Sequence, residues 1–221
     1  MFRSWADSES LADIEVCAVQ LPGREARITE SPMGDLRRLV HLLCEALEPY
    51  LDRPFAFFGH SIGALVSFES ARELRRIRGI EPSHLFVSGG PAPHLPDSER
   101  ISDLHDDEFL KRVCRFNGTP PEVLNHPELM QLMVPALRAD FSLRDRYVYR
   151  EEPPLSCPIT AFGGMSDTHV DGLMLRAWRQ HTRERFQLWL FQGDHFFVRS
   201  AQAPLLETLS IVVSQQQRAA R

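Results

Sequence analysis

No apolar run in this 221-residue chain reaches the length of a membrane-spanning helix, so a helical membrane protein is not expected. The opening "MFRSWADSES" lacks the apolar stretch of a secretory signal or an anchor. There is no concentrated basic segment, and the formal net charge is −5, which argues against nucleic acid as a partner. Cysteine is scarce. Cys17, Cys44, Cys114 and Cys157 lie far apart with no C-x-x-C pair, and they read as reduced thiols of a cytoplasmic protein. The nine histidines show no H-E-x-x-H or similar spacing, so no metal site is expected. Internal repeats and low-complexity segments are missing as well.

Hydrophobic residues make up 43% of the chain, enough to build a real core. They fall in short runs. "IEVCAVQLPGRE" (14–25) reads as a buried strand ending in a Pro-Gly turn. "PFAFFG" (54–59), "HLFVSGG" (84–90), "PITAFGG" (158–164) and "FQLWLFQG" (186–193) read as further strands. Amphipathic helical patterns lie between them, over 33–51, 61–79, 170–182 and 203–217. Asp35 stands near the start of the first, and Gly79 at the stop of the second. This alternation predicts an α/β fold, a mostly parallel sheet with helices on both faces. The 91–154 segment breaks the pattern. Helical runs at 106–116 and 127–141 and the absence of a convincing strand make it an inserted helical subdomain over one end of the sheet. The core is then 1–90 and 155–221.

In such a sheet, ligands bind at the carboxyl ends of the strands. "FAFFGHSIGALVSF" (55–68) places Ser61 there, within Gly59-His60-Ser61-Ile62-Gly63. A nucleophilic serine must be held clear of the sheet on a sharp, strained turn. Small residues are expected two positions before and after it, where strand and helix nearly collide. The following helix would aim its N–H groups at developing negative charge. The serine needs a base. His195, in "FQGDHFFV", follows the last strand at a carboxyl end, and the chain order serine, acid, histidine favours it. His181 is read as helical and solvated, and His60 as fixed in the turn and pointing elsewhere. The orienting acid is Asp167 of "FGGMSDTHV". Asp171, His169 and Asp194 are weaker candidates, and helix capping is the other reading of Asp167. Arg72, Arg75, Arg76 and Arg78 read as a solvated helix face rather than a docking patch.

The stretches "VQLPGREAR" (19–27), "FFGHSIGALVSFESARELR" (57–75), "SGGPAP" (88–93), "GTPPEVL" (118–124), "LRADF" (137–141), "PPLSCPITAFGGMSD" (153–167) and "FQGDHFFV" (191–198) cover nearly the whole chain. Together they resemble the type II thioesterases of polyketide and non-ribosomal peptide assembly lines, which are α/β-hydrolases. The resemblance implies hydrolysis of acyl thioesters on the phosphopantetheine arm of an acyl or peptidyl carrier protein. It implies no cofactor of the enzyme's own, and a monomer in the cytoplasm. Carried over by position, Ser61 is the nucleophile, Asp167 the orienting acid and His195 the base, and 91–154 is a mobile lid over the acyl channel. The family layout has one strand and a Phe-Pro-x-Ala-Gly-Gly-like loop ahead of residues 2–12. In that layout the residue after the nucleophile, here Ile62, gives one oxyanion N–H and the loop gives the other; the expectation is that this chain lacks the strand and the loop, and with them the second N–H and a strand between 14–21 and 55–58. Two alternatives stand beside this reading. One is an esterase or lipase-like hydrolase of small oxygen esters, and the other a shortened carrier-binding chain with little turnover.

Overall fold

The computed structural model describes residues 2–96, 100–116 and 126–219. The 118–124 stretch lies outside them, as does part of the 91–154 insertion. Four of the apolar runs become β1 (Ala56–His60), β2 (His84–Ser88), β3 (Ile159–Gly164) and β4 (Phe186–Phe191). They form one sheet in the order β1-β2-β3-β4, every neighbouring pair parallel. Phe58 lies opposite Phe86, Val87 opposite Ala161, and Ala161 opposite Leu188.

Alternation along the strands builds a core on each face. Leu85, Val87, Ile159 and Ala161 face one layer, packing with Ala64, Phe68 and Ala71 of α2 (Ile62–Arg78) and with Leu175 and Trp178. Phe86 and Phe162 face the other layer. There they meet Phe197 of α6 (Phe197–Ser200), Leu205, Leu206 and Leu209 of α7 (Gln202–Ala219), and Trp5 and Leu11 from two short 3-10 turns. The central strands are buried along their full length, which is why they read as continuous apolar runs.

Local signals fix the helix ends. The Asp35 carboxylate accepts from the Arg38 N–H at 3.0 Å and starts α1 (Leu36–Leu47). Gly79 ends α2 in the left-handed region at φ 68°, donating to the Arg75 carbonyl. Asp171 accepts from Leu173 and Met174 N–H groups at the head of α5 (Gly172–Arg176). Within the insertion, α3 (Asp106–Cys114) carries acids in its first turn and bases in its last, and α4 (Pro127–Asp145) begins on a proline. No helix among the described residues is long and apolar enough to cross a membrane.

Three expectations are corrected. Residues 14–21 form no strand. They run as irregular chain, with Val19 53% exposed, because no ladder is offered to them and β1 is the edge of the sheet on that side. Ile14 and Val16 reach the core beside Phe58, and Leu21 packs against the cluster of Leu39, Val66 and Leu143. The arginines of α2 are a solvated face only in part: Arg76 and Arg78 are exposed, but Arg72 and Arg75 are not. Arg72 is 3% exposed and pairs with Glu69 at 2.7 Å and Glu152 at 2.8 Å. Arg75 pairs with Glu81 and Glu152, Arg76 with Glu73, and Arg78 with Glu48. Glu69 also accepts from the Tyr147 hydroxyl, so the network ties α2 to the chain leaving the insertion. His181 is buried rather than solvated and is bonded to His94 at 2.8 Å, and burial lowers its pKa to about 3.

Candidate active site

The ladder of β1 continues one residue past the strand, where the Ser61 N–H donates to the Ser88 carbonyl at 2.7 Å. The chain then reverses into α2. Ser61 sits at φ 55°, ψ −120°, a conformation that a non-glycine residue holds only under constraint. The bend points its hydroxyl at the carboxyl end of the sheet. Ser61 Oγ lies 3.0 Å from His195 Nε2. On the opposite edge of that imidazole, Nδ1 lies 2.8 Å from Asp167 Oδ2. Three strand ends thus bring together the three residues singled out in the sequence. Ile62 is the first residue of α2, so its N–H has no acceptor within the helix and points out of the helix start beside Ser61.

Asp167 does two jobs. Its Oδ1 accepts from the N–H groups of His169 at 2.8 Å and Val170 at 3.1 Å, while Oδ2 serves His195. The other reading of this residue, a cap on the next helix, is overturned: Asp171 heads α5, and the two N–H groups on Asp167 belong to the loop before it. Burial works to raise the Asp167 pKa, but the His195 and backbone hydrogen bonds outweigh it and hold the carboxyl below its ordinary range. The side chain is fully buried, and His195 is 4% exposed. Asp171 and Asp194 are engaged elsewhere, Asp171 at the head of α5 and Asp194 on the Phe196 N–H.

His60 does turn away from Ser61, its Nδ1 bonding Ser88 Oγ at 3.0 Å. Its ring centroid still lies 5.1 Å from that of His195. Burial and the nearby His195 charge lower its pKa to about 3, so it stays neutral beside the triad. Among the described residues, no group of three or more His, Cys, Asp or Glu side chains could hold a metal ion.

The two glycines of the turn differ in role, against the sequence expectation. A Cβ at Gly59 would stand 2.0 Å from the Gly63 carbonyl oxygen and 2.6 Å from Ser67 Oγ, so strand and helix do collide there. A Cβ at Gly63 would meet nothing within 4 Å. Gly59→Ala should therefore cost about 1–3 kcal/mol or more in urea denaturation. Gly63→Ala should be neutral, or stabilising by up to about 1 kcal/mol. Equal losses from the two substitutions would contradict this geometry. Sequence reading also missed Gly90, whose Cβ would stand 2.8 Å from Ala64 Cβ and 2.9 Å from the Ser61 carbonyl. The signal was available in the paired glycines that end "HLFVSGG".

The chain is 50% identical over 210 residues to linear gramicidin dehydrogenase LgrE of Brevibacillus parabrevis, spanning 93% of this chain and 80% of that one. It is 44% identical over 198 residues to gramicidin S biosynthesis protein GrsT of Aneurinibacillus migulanus, spanning 88% and 77%. Among solved structures, the RedJ thioesterase of the prodiginine pathway in Streptomyces coelicolor superposes with a TM-score of 0.88 at 37% identity, covering 95% of this chain and 84% of that one. The family model described as "Thioesterase domain" matches residues 1–212, so the chain belongs to the thioesterase domain family.

Proposed function

We propose that this chain is a serine thioesterase that hydrolyses acyl groups from the phosphopantetheine arm of an acyl or peptidyl carrier protein, in editing or release during polyketide or non-ribosomal peptide synthesis. The observation that carries the reading is the hydrogen-bonded line Ser61 Oγ–His195 Nε2–His195 Nδ1–Asp167 Oδ2 at the head of α2, in a chain of this family.

The chemistry follows from the geometry. Ser61 Oγ attacks the thioester carbonyl carbon as His195 Nε2 takes the hydroxyl proton. The carbonyl π pair moves to oxygen, where the Ile62 N–H and the start of α2 stabilise the oxyanion. The carbon–sulfur bond breaks as the oxyanion collapses, and Nε2 returns the proton to the leaving thiolate. Water then attacks the acyl-serine, again giving its proton to Nε2. Collapse releases the carboxylic acid and restores the Ser61 hydroxyl. Asp167, held ionised, keeps the Nδ1–H tautomer and stabilises the imidazolium in both halves.

In this reading the protein is a cytoplasmic monomer, and the 91–154 insertion covers the acyl site. The printed name of one relative, a dehydrogenase, suggests hydride chemistry instead. No two of the 12 glycines here are separated by a single residue, so the chain contains no G-x-G-x-x-G phosphate-binding turn. The protein should turn over an acyl carrier thioester faster than a p-nitrophenyl ester of the same acyl group. Preference for the oxygen ester with no carrier turnover would favour a small-ester hydrolase. Carrier binding without turnover of either would favour a binding role.

A further inference from the structure

His195 must be reached by the leaving group, yet its side chain is 4% exposed. Four rings stand around it, those of His60 at 5.1 Å, Phe196 at 5.2 Å, Phe116 at 5.7 Å and His169 at 6.0 Å between centroids. Two of these are fixed. His60 lies on β1 and bonds Ser88, and Phe196 adjoins His195 in the turn into α6, under the Arg199 guanidinium. Phe116 alone comes from the insertion, two residues beyond the end of α3. On one side it packs on Phe141 of α4 at 5.6 Å. On the other, the His169 imidazole stacks on it at 4.0 Å with planes 22° apart. The His169 Nε2 also bonds the Arg115 carbonyl at 3.2 Å, holding the backbone just before Phe116. His169 is itself placed by its N–H bond to Asp167, the carboxylate that orients His195.

We propose that His169 is a positioning residue for the reaction: by stacking on Phe116 and bonding Arg115, it holds the Phe116 ring against the His195 imidazole, and an entering substrate must displace that ring. This rests on the hydrolase reading of the site and adds to it a named latch between the insertion and the loop of the orienting acid. A ring so placed helps to bury the imidazole. It also makes entry depend on breaking one hydrogen bond and one stack.

The rate at which fluorophosphonates label Ser61 tests the latch, since labelling needs only a reactive serine. A bulky rhodamine-linked probe should react with His169→Ala about fivefold faster than with the wild type, the size of one net hydrogen bond. Diisopropyl fluorophosphate should react at nearly the same rate with both. His169→Phe keeps a ring but no Arg115 bond, and should fall between. Phe116→Ala should reproduce the gain, and the double variant should add nothing to either single change. Unchanged bulky-probe rates in folded variants, or gains that simply add, would overturn the latch while leaving the hydrolase reading intact. Loss of labelling by both probes in folded variants would also overturn it, because His169 would then be needed for reactivity rather than for shielding. A wild-type protein that takes no label on Ser61 would overturn both, since there would be no reaction to shield.

Discussion

Ser61→Ala should lower acyl-thioester hydrolysis by about 10⁶, to the residual rate left by binding and the oxyanion site alone. The hydroxyl is the only part of the side chain that the substitution removes, and its partner among the described residues is His195 Nε2 at 3.0 Å. The backbone strain at φ 55° remains, so the fold should be unaffected by loss of a single oxygen. Circular dichroism and urea denaturation would check that the variant is folded. A fluorophosphonate should label wild-type protein at Ser61, located by mass spectrometry, and should not label the variant. Label on Ser67 or Ser166, or a rate within tenfold of wild type, would place the nucleophile elsewhere.

Asp167→Asn should lower turnover by about 10⁴. The amide has the size of the carboxylate, but its nitrogen would face His195 Nδ1 or the His169 N–H with a donor where an acceptor is needed. The compensation open to the ring, the tautomer protonated on Nε2, leaves no base for Ser61. Asp171→Asn and Asp194→Asn should each cost less than about tenfold, since those carboxylates bind backbone N–H groups outside the triad. Stability supplies a second reading. The folded-state pKa of Asp167 lies below its ordinary value, so this carboxylate contributes stability above the ordinary Asp range and loses it as pH falls through the lower folded value. The gap in melting temperature between wild type and Asp167→Asn should therefore be full near neutral pH and narrow in acid. A gap that widened in acid would mean that the carboxyl is protonated in the folded protein.

The candidate site was readable because its parts are local. Each of Ser61, Asp167 and His195 follows an apolar strand directly, and a parallel sheet gathers such positions at one end. β1 to β4 were readable for a related reason, since runs such as "HLFVS" and "ITAFGG" are buried on both faces. The segment 14–21 carries the same kind of run, but strand formation needs a partner's ladder, which composition does not display. Arg72 was misread because its partner Glu152 is eighty residues away in sequence and α2 looked like an ordinary basic helix end. Gly63 was misread because motif spacing does not say which glycine meets backbone. The Phe116–His169 stack bridges 53 residues and no single-chain periodicity points to it.

The order of the strands has a consequence for how this protein is made. Ser61 and the whole of β1, α2 and β2 are synthesised before β3 begins, whereas the base of Ser61 arrives 134 positions after it, beyond β3 and β4. Because the strands lie in the sheet in chain order, from one edge to the other, the early strands can assemble long before the His195 imidazole is near the hydroxyl. Contacts so distant along the chain are the slowest to form and among the last to be secured. A half-folded or nascent chain therefore presents an inert serine, and hydrolytic power appears only when the far edge of the sheet has docked. The reactive hydroxyl is in this sense a reporter on completed folding, silent in every intermediate that lacks the last strand.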